Sequence, residues 1–199
     1  VAVGEFTVLF VCTGNICRSP LAERLFRATF NAPGVVFASA GVEAMVGDGM
    51  PVEARRVARH LGADPHGHAA RQLTPTQLAD AGLVVAMSRR HRSEIARMFP
   101  RAARYTFTLR ELARLAASLA ADETVVARAG GSVPDGLRAA VDLLASRRGY
   151  LEPLSNLADD DIPDPYLRGT AAYELAGRLI ADATAQLSAA VAAVASRRA

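Results

Sequence analysis

Apolar positions along the chain follow two alternating rhythms. Residues 6–11 (Phe6, Thr7, Val8, Leu9, Phe10, Val11) form a run of apolar, aromatic and β-branched side chains, the pattern of a central strand buried on both faces of a parallel sheet. Beyond a loop at 12–18, Ser19 and Pro20 read as an N-cap and first helical residue, and Leu21, Leu25, Phe26 and Phe30 follow at helical spacing. Val35–Ala40 predicts a second strand, Pro51–Leu61 a helix stopped by Gly62, and Thr74–Ala81 a short helix leading into the strand Leu83–Met87. Arg89–Phe99 is predicted helical, Tyr105–Thr108 a short strand and Arg110–Ala121 helical. A last helix runs from about Thr170 to the end, with Leu175, Leu179, Ala183, Leu187, Val191 and Val194 as its buried stripe. This alternation predicts an α/β fold: a four-stranded parallel sheet flanked by helices on both faces, doubly wound and Rossmann-like.

Residues at about 122–158 break the rhythm. Gly130 and Gly131 interrupt the chain, Ser132 and Asp135 stand at capping-box spacing, and Leu137, Val141 and Leu144 line one helical face up to Gly149. This predicts a helical insertion within one domain spanning 1–199, since 199 residues with 51% apolar side chains suit one ordinary core. No apolar run approaches the length of a membrane span. The first residues lack the pattern of a secretory signal, so a cytoplasmic location is expected. All 23 basic residues are Arg, and they alternate with acidic residues along the helical segments. The net charge of +3 therefore makes no basic patch, and nucleic acid is not an expected partner.

The 2 cysteines, Cys12 and Cys17, are too few for a disulfide framework or a zinc site. They bracket the loop Cys12-Thr13-Gly14-Asn15-Ile16-Cys17-Arg18-Ser19, which leaves a buried strand and enters a helix. Backbone N–H groups and a helix N-terminus converge at such a place on an anion. A Cys12 thiolate would gain from that positive end and from the Arg18 guanidinium, which makes Cys12 a candidate nucleophile. Arg18 offers a planar fork for two phosphoryl oxygens, and Gly14 allows the backbone a close approach. Cys17 reads as a small buried filler, with a reversible disulfide to Cys12 as the alternative. A poor leaving group requires a carboxylic acid opposite the nucleophile. Asp159, Asp160 and Asp161 read as a solvated acidic loop. His60, His66 and His91 form no metal-ligand spacing and read as structural or exposed.

Cys12 to Glu23, CTGNICRSPLAE, resembles the signature of the low-molecular-weight protein tyrosine phosphatases. Ser39-Ala40-Gly41, the segment from His68 to Leu73, Val85-Ala86-Met87 and Asp164-Pro165-Tyr166 resemble further family segments in the same order. The resemblance implies that Cys12 is the nucleophile and that Arg18, with the loop Thr13 to Cys17, binds the phosphoryl oxygens. It implies that Ser19 hydrogen-bonds the thiolate and that Asn15 with Ser39 and His68 holds the loop in shape. Asp164 would be the general acid. The expected reaction is metal-independent hydrolysis of a phosphate monoester, above all protein phosphotyrosine, through a phosphocysteine, releasing inorganic phosphate without a cofactor.

Two departures from the family pattern stand out. The aromatic residue that usually follows the Ser-Ala-Gly strand is absent, and Met45 is the candidate for that wall of the pocket, opposite Tyr166. The insertion at about 122–158 is expected to lean over the acid loop and narrow access. Three other readings compete. Arginine phosphatases of this fold resemble CTGNTCRS, and Ile16 in place of that Thr leaves no hydroxyl to orient the hydrolytic water, which points to monoesters. Arsenate reductases of the fold relay electrons through downstream cysteines, and none follows Cys17, so only one borrowing an external thiol fits. A non-catalytic phosphate- or phosphopeptide-binding module would need no acid, whereas Cys12, Arg18 and Asp164 are all present.

Overall fold

The computed structural model describes residues 5–30, 32–121 and 132–196. Four parallel strands, β1 (Phe6–Cys12), β2 (Val35–Gly41), β3 (Leu83–Ala86) and β4 (Thr106–Thr108), lie in the order β2-β1-β3-β4. The most apolar run thus occupies an interior position, paired with β2 from Phe6↔Val35 to Cys12↔Gly41 and with β3 from Val8↔Leu83 to Val11↔Ala86. Side chains alternate across the sheet, so Phe6, Val8 and Phe10 enter one core and Leu9 and Val11 the other. The first core is closed by α1 (Arg18–Thr29), α2 (Val52–His60), α5 (Leu109–Ala121) and α7 (Gly169–Ser196). The second is closed by α3 (Pro75–Asp80) and α4 (Arg89–Met98), through Leu78 and Ile95. The predicted doubly wound α/β sheet is therefore the observed one, with element ends shifted by a residue or two.

Three expectations are corrected. The first helix begins at Arg18 with Cys17 in the N-cap position and no side-chain cap, whereas Ser19 was the expected cap. Its hydroxyl is turned instead into the loop at 12–18, and Pro20 still sits in the first turn, where its missing N–H costs nothing. The buried stripe of α7 consists of Tyr173, Ala176, Ile180, Ala183, Leu187 and Ala190, while Leu175 is exposed and Leu179 only half-buried. Close approach decided that face: a side chain at Gly177 would meet Val57 Cγ1 at 2.4 Å, so small residues turn toward α2. Val191 and Val194 lie outside the residues whose side chains are described.

The third correction concerns the insertion, of which 122–131 lie outside the described residues. Its helix α6 (Val133–Ser146) is capped as expected, the Ser132 hydroxyl accepting from the Asp135 N–H, and Val141 and Leu144 are buried. Among the described residues of the insertion, helix α6 does not lean over the acid loop. Arg138 donates to Glu5 O at 2.7 Å and lies 5.9 Å from the Phe6 ring centroid, so α6 packs at the start of β1. Cys12 is at the opposite end of that strand, about 20 Å away at ~3.3 Å per residue. From there the chain returns along the start of β4. Arg148 stacks on Phe107 at 3.9 Å and donates to Ala103 O and Thr106 O.

Candidate active site

Residues 12–18 fold as a loop between β1 and α1, entered at the C-terminal end of an interior strand. Its carbonyls are tied down: Cys12 O accepts from Val42 N, Thr13 O from Glu43 N, Gly14 O from Met45 N and Asn15 O from His68 Nε2. Peptide planarity turns the corresponding N–H groups the other way, toward the hollow that the loop encloses. Asn15 turns the chain through a left-handed φ of 54°, a conformation Asn tolerates. The loop passes so close above Gly41 that a Cβ there would lie 2.3 Å from Thr13 O.

The proton inventory of the supporting network fixes what Cys12 meets. The Arg71 N–H donates to Asn15 Oδ1 at 2.9 Å, which fixes the amide, so Asn15 Nδ2 donates to Ser19 Oγ at 2.9 Å and to Ser39 Oγ at 3.0 Å. Ser39 gives its own proton to Glu23 Oε2 at 2.6 Å, a buried carboxylate that also accepts from Arg27. Ser19 has accepted from Asn15, and Cys12 Sγ stands 3.0 Å from its oxygen, with Ala40 O farther at 3.5 Å. The Ser19 hydroxyl thus has Cys12 Sγ as its nearer partner, and Ala40 O as the other acceptor within reach of its proton. Ser39 and His68 thus stand where the resemblance implied. Glu23 and the Arg71 backbone complete the network, and only their place inside the resembling segments signalled them.

His91 was read as merely structural or exposed, yet it reaches the loop. It is buried, with Nε2 2.9 Å from Thr13 Oγ1 and Nδ1 2.8 Å from Ser88 Oγ. Burial, reinforced by the Arg18 and Arg90 charges, pushes its pKa down to about 3. His68 is also lowered, chiefly by burial. His60 and His66 are exposed. An unfolded chain binds a proton on His91 near pH 6.5, so the stability that neutral His91 contributes is complete above about pH 6.5 and fades as pH falls toward 3. The expected slope is about 1.4 kcal/mol per pH unit, with His68 acting in the same direction. Urea unfolding from pH 7.5 to 4.5 checks this, and His91→Gln should flatten the profile; equal slopes in the two proteins would reject it.

Arg18 is buried and divides its guanidinium. Nη2 pairs with Asp164 Oδ2 at 2.6 Å, Nη1 donates to Ile162 O at 3.2 Å, and Nε is buried without a partner among the described residues. Asp164 is half-exposed, and its Oδ1 accepts from the Tyr166 N–H at 3.2 Å. Cys12, Thr13, Gly14, Ile16, Cys17 and Arg18 line the inner part of an open hollow of about 490 Å³, with Glu43, Met45, Asp164 and Tyr166 around its mouth. Met45 and Tyr166, 37% and 38% exposed, both line this space. Glu43, which sequence reasoning missed, adds a rim carboxylate 3.4 Å from Arg90. Cys17 is buried, and burial, with the Cys12 and Asp164 charges adding to it, pushes its thiol up to about 12. Tyr173 hydrogen-bonds it, so Cys17 behaves as the buried filler.

The three upstream aspartates are not a solvated loop. Asp160 is buried against Arg114 at 2.8 Å, and Asp161 Oδ1 accepts from the Arg89 N–H at 2.7 Å at the start of α4. Only Asp159 is exposed. Asp160 and Asp161 each found a fixed donor that lies far away in sequence. Among the described residues no group of His, Cys, Asp and Glu has the arrangement of a metal site, and no helix is long and apolar enough to cross a membrane.

The model of the low molecular weight phosphotyrosine protein phosphatase family matches residues 7–123. The chain belongs to this family. A relative in it, the low molecular weight protein-tyrosine-phosphatase Etp of Escherichia coli K12, is 40% identical over 94 residues, covering 47% of this chain and 62% of Etp. The protein-arginine-phosphatase of Geobacillus stearothermophilus is 33% identical over 149 residues, covering 75% of this chain and 90% of that protein. The crystal structure of the tyrosine phosphatase AmsI from Erwinia amylovora superposes with a TM-score of 0.65 at 26% identity, covering 92% of this chain and 91% of AmsI. The match to Etp thus spans less than two thirds of that relative's length. Asp164 lies beyond the residues that the family model matches, and the fold carries it to the loop.

Proposed function

We propose that this chain hydrolyses phosphate monoesters through a phosphocysteine, with protein phosphotyrosine as the substrate class. The carrying observation is the divided guanidinium of Arg18. One edge holds Asp164, while Arg18 also lines the hollow together with Cys12, and its buried Nε has no hydrogen-bond partner among the described residues. A phosphoryl dianion entering the loop satisfies Arg18 and the inward N–H groups and releases Asp164 to face the leaving group. Cys12 Sγ attacks phosphorus as the ester P–O bond breaks, and the Asp164 carboxyl gives its proton to the departing oxygen. The resulting carboxylate takes a proton from water as that water attacks phosphorus. The S–P bond breaks, inorganic phosphate leaves and the thiolate returns to the Ser19 hydroxyl. Arg18 and the backbone carry the charge compensation, so the reading requires no metal or other cofactor. A working Cys12 thiol also needs reducing conditions, which suits a cytoplasmic location.

The walls Met45 and Tyr166 suit an aromatic ring. The similarity to an arginine phosphatase makes phosphoarginine the competing substrate, and buried Ile16 opposes it by lining the loop without a hydroxyl. The test is turnover of a phosphotyrosine peptide against a phosphoarginine peptide of the same sequence, in reductant and excess chelator. Faster release of phosphate from phosphotyrosine is expected. Preference for phosphoarginine would overturn the substrate class. Binding without turnover would favour a phosphopeptide-binding module, and thiol-dependent reduction of arsenate in its place would favour the arsenate reductase.

A further inference from the structure

Asp164 hangs on a loop whose anchors differ in what happens to them when a phosphoryl group arrives. Arg18 holds both Asp164 Oδ2 and Ile162 O, and Arg18 is the side chain that the incoming anion claims. Downstream, the Tyr166 N–H donates to Asp164 Oδ1 and Pro165 is buried; the other contacts are upstream. The Ile162 N–H donates to Met87 O at 2.8 Å, Asp161 Oδ1 accepts from the Arg89 N–H at 2.7 Å, and Asp160 Oδ1 accepts from Arg114 Nη2 at 2.8 Å. Of these, the Arg114–Asp160 pair is an ion pair, with side chains only 32% and 12% exposed. Little water is present to replace it, and a lone carboxylate left at 160 would be costly.

The segment between this pair and the acid is stiff. Pro163 and Pro165 flank Asp164, fixing their own φ and restricting Ile162 and Asp164 before them. A shift at 160 is therefore carried to 164 rather than absorbed on the way. The other end of the returning segment is held by the same helix: Glu111, one turn before Arg114 on α5, binds Arg148 Nε at 3.3 Å and Arg92 at 2.8 Å. Helix α5 thus grips 148–160 at both ends, with an acid for the basic residue and a base for the acidic one. Asp160 lies in the part of the chain beyond the family match.

We infer that Arg114 is a positioning residue for proton transfer: by clamping Asp160 it keeps the Asp164 carboxyl over the hollow once substrate has drawn Arg18 away. This rests on the reading of Asp164 as the general acid. The test compares Arg114→Met and Asp160→Asn with wild type on phenyl phosphate, whose leaving group needs the proton, and 2,4-dinitrophenyl phosphate, whose leaving group does not. A loss of about tenfold in kcat/KM, which reports the first step alone, is expected on the first ester and less than about twofold on the second. Arg114→Lys should recover most of the loss. In an Asp164→Asn background Arg114→Met should cost nothing more.

Equal losses on the two esters, or a loss that adds in full to that of Asp164→Asn, would overturn the positioning role. Should Arg114→Met fail to fold, Asp160→Asn decides by the same criteria, since Asn keeps the shape and loses the charge. A wild-type protein that hydrolyses neither ester overturns the phosphatase reading and this inference with it. A leaving-group-dependent Asp164→Asn beside leaving-group-blind Arg114→Met and Asp160→Asn overturns the inference alone.

Discussion

Cys12→Ser is expected to abolish phosphate ester hydrolysis while leaving phosphate binding intact. The side chains are similar in size, and the loop N–H groups, Arg18 and the Asn15 network do not depend on sulfur. What changes is the nucleophile. A thiolate is accessible near neutral pH, whereas a serine hydroxyl would need a general base. Ser19, beside position 12, is a neutral hydroxyl and no general base. The nearby His91 is bound to Thr13 and Ser88 and does not reach Cys12. A loss on the order of 10⁴-fold or more in kcat is expected, at least about 5 kcal/mol of barrier. Titration with inorganic phosphate should show an affinity within a few-fold of wild type. Substantial residual turnover in the variant would remove the phosphocysteine from the mechanism, and loss of phosphate binding would show that sulfur helps to shape the loop.

The second large effect belongs to Asp164→Asn, and its size should depend on the ester. Asparagine cannot supply the proton, so phenyl phosphate should slow by about 10²- to 10³-fold, the usual worth of a general acid. A nitrophenolate departs unaided, so 2,4-dinitrophenyl phosphate should keep its first step and slow only at hydrolysis of the phosphocysteine. That intermediate should then accumulate as a burst of phenol larger than in wild type. The ion pair Arg18–Asp164, at 2.6 Å in the ligand-free protein, adds a second expectation. Wild type must break this pair before binding a phosphoryl group and the variant need not, so inorganic phosphate should inhibit Asp164→Asn more strongly. Equal slowing on the two esters would reject Asp164 as the acid. Unchanged inhibition by phosphate would mean that the pair costs nothing to open.

The two effects have different structural origins. Cys12 stands where the strand ends, and its surroundings are built almost wholly from segments near it in sequence or joined to it through β2. Asp164 is held from elsewhere, by Arg18, by Met87 through Ile162, by the start of α4 and by Arg114 on α5. Asp164 accordingly lies at the end of a segment that the family model does not match.

The amino-acid pattern by itself determined the sheet and the anion loop. A continuous apolar run at 6–11 is stable only inside a parallel sheet, and a Gly-containing loop that joins it to a helix with Cys12 and Arg18 at its ends is a local object, legible from spacing. Other features needed the tertiary structure because their deciding partners lie far away in sequence. Ser19 looked like a cap, but Asn15 and Ser39 recruited its hydroxyl for Cys12. Leu175 looked buried, but close packing at Gly177 turned smaller residues of α7 inward. Asp160 and Asp161 looked solvated until Arg114 and the start of α4 met them, and His91 looked incidental until Thr13 did. The helix at 133–146 was readable from its cap and apolar face, but its place at the far end of β1 was not. Hydrophobic periodicity states which face of an element is buried, and only the packed structure states against what.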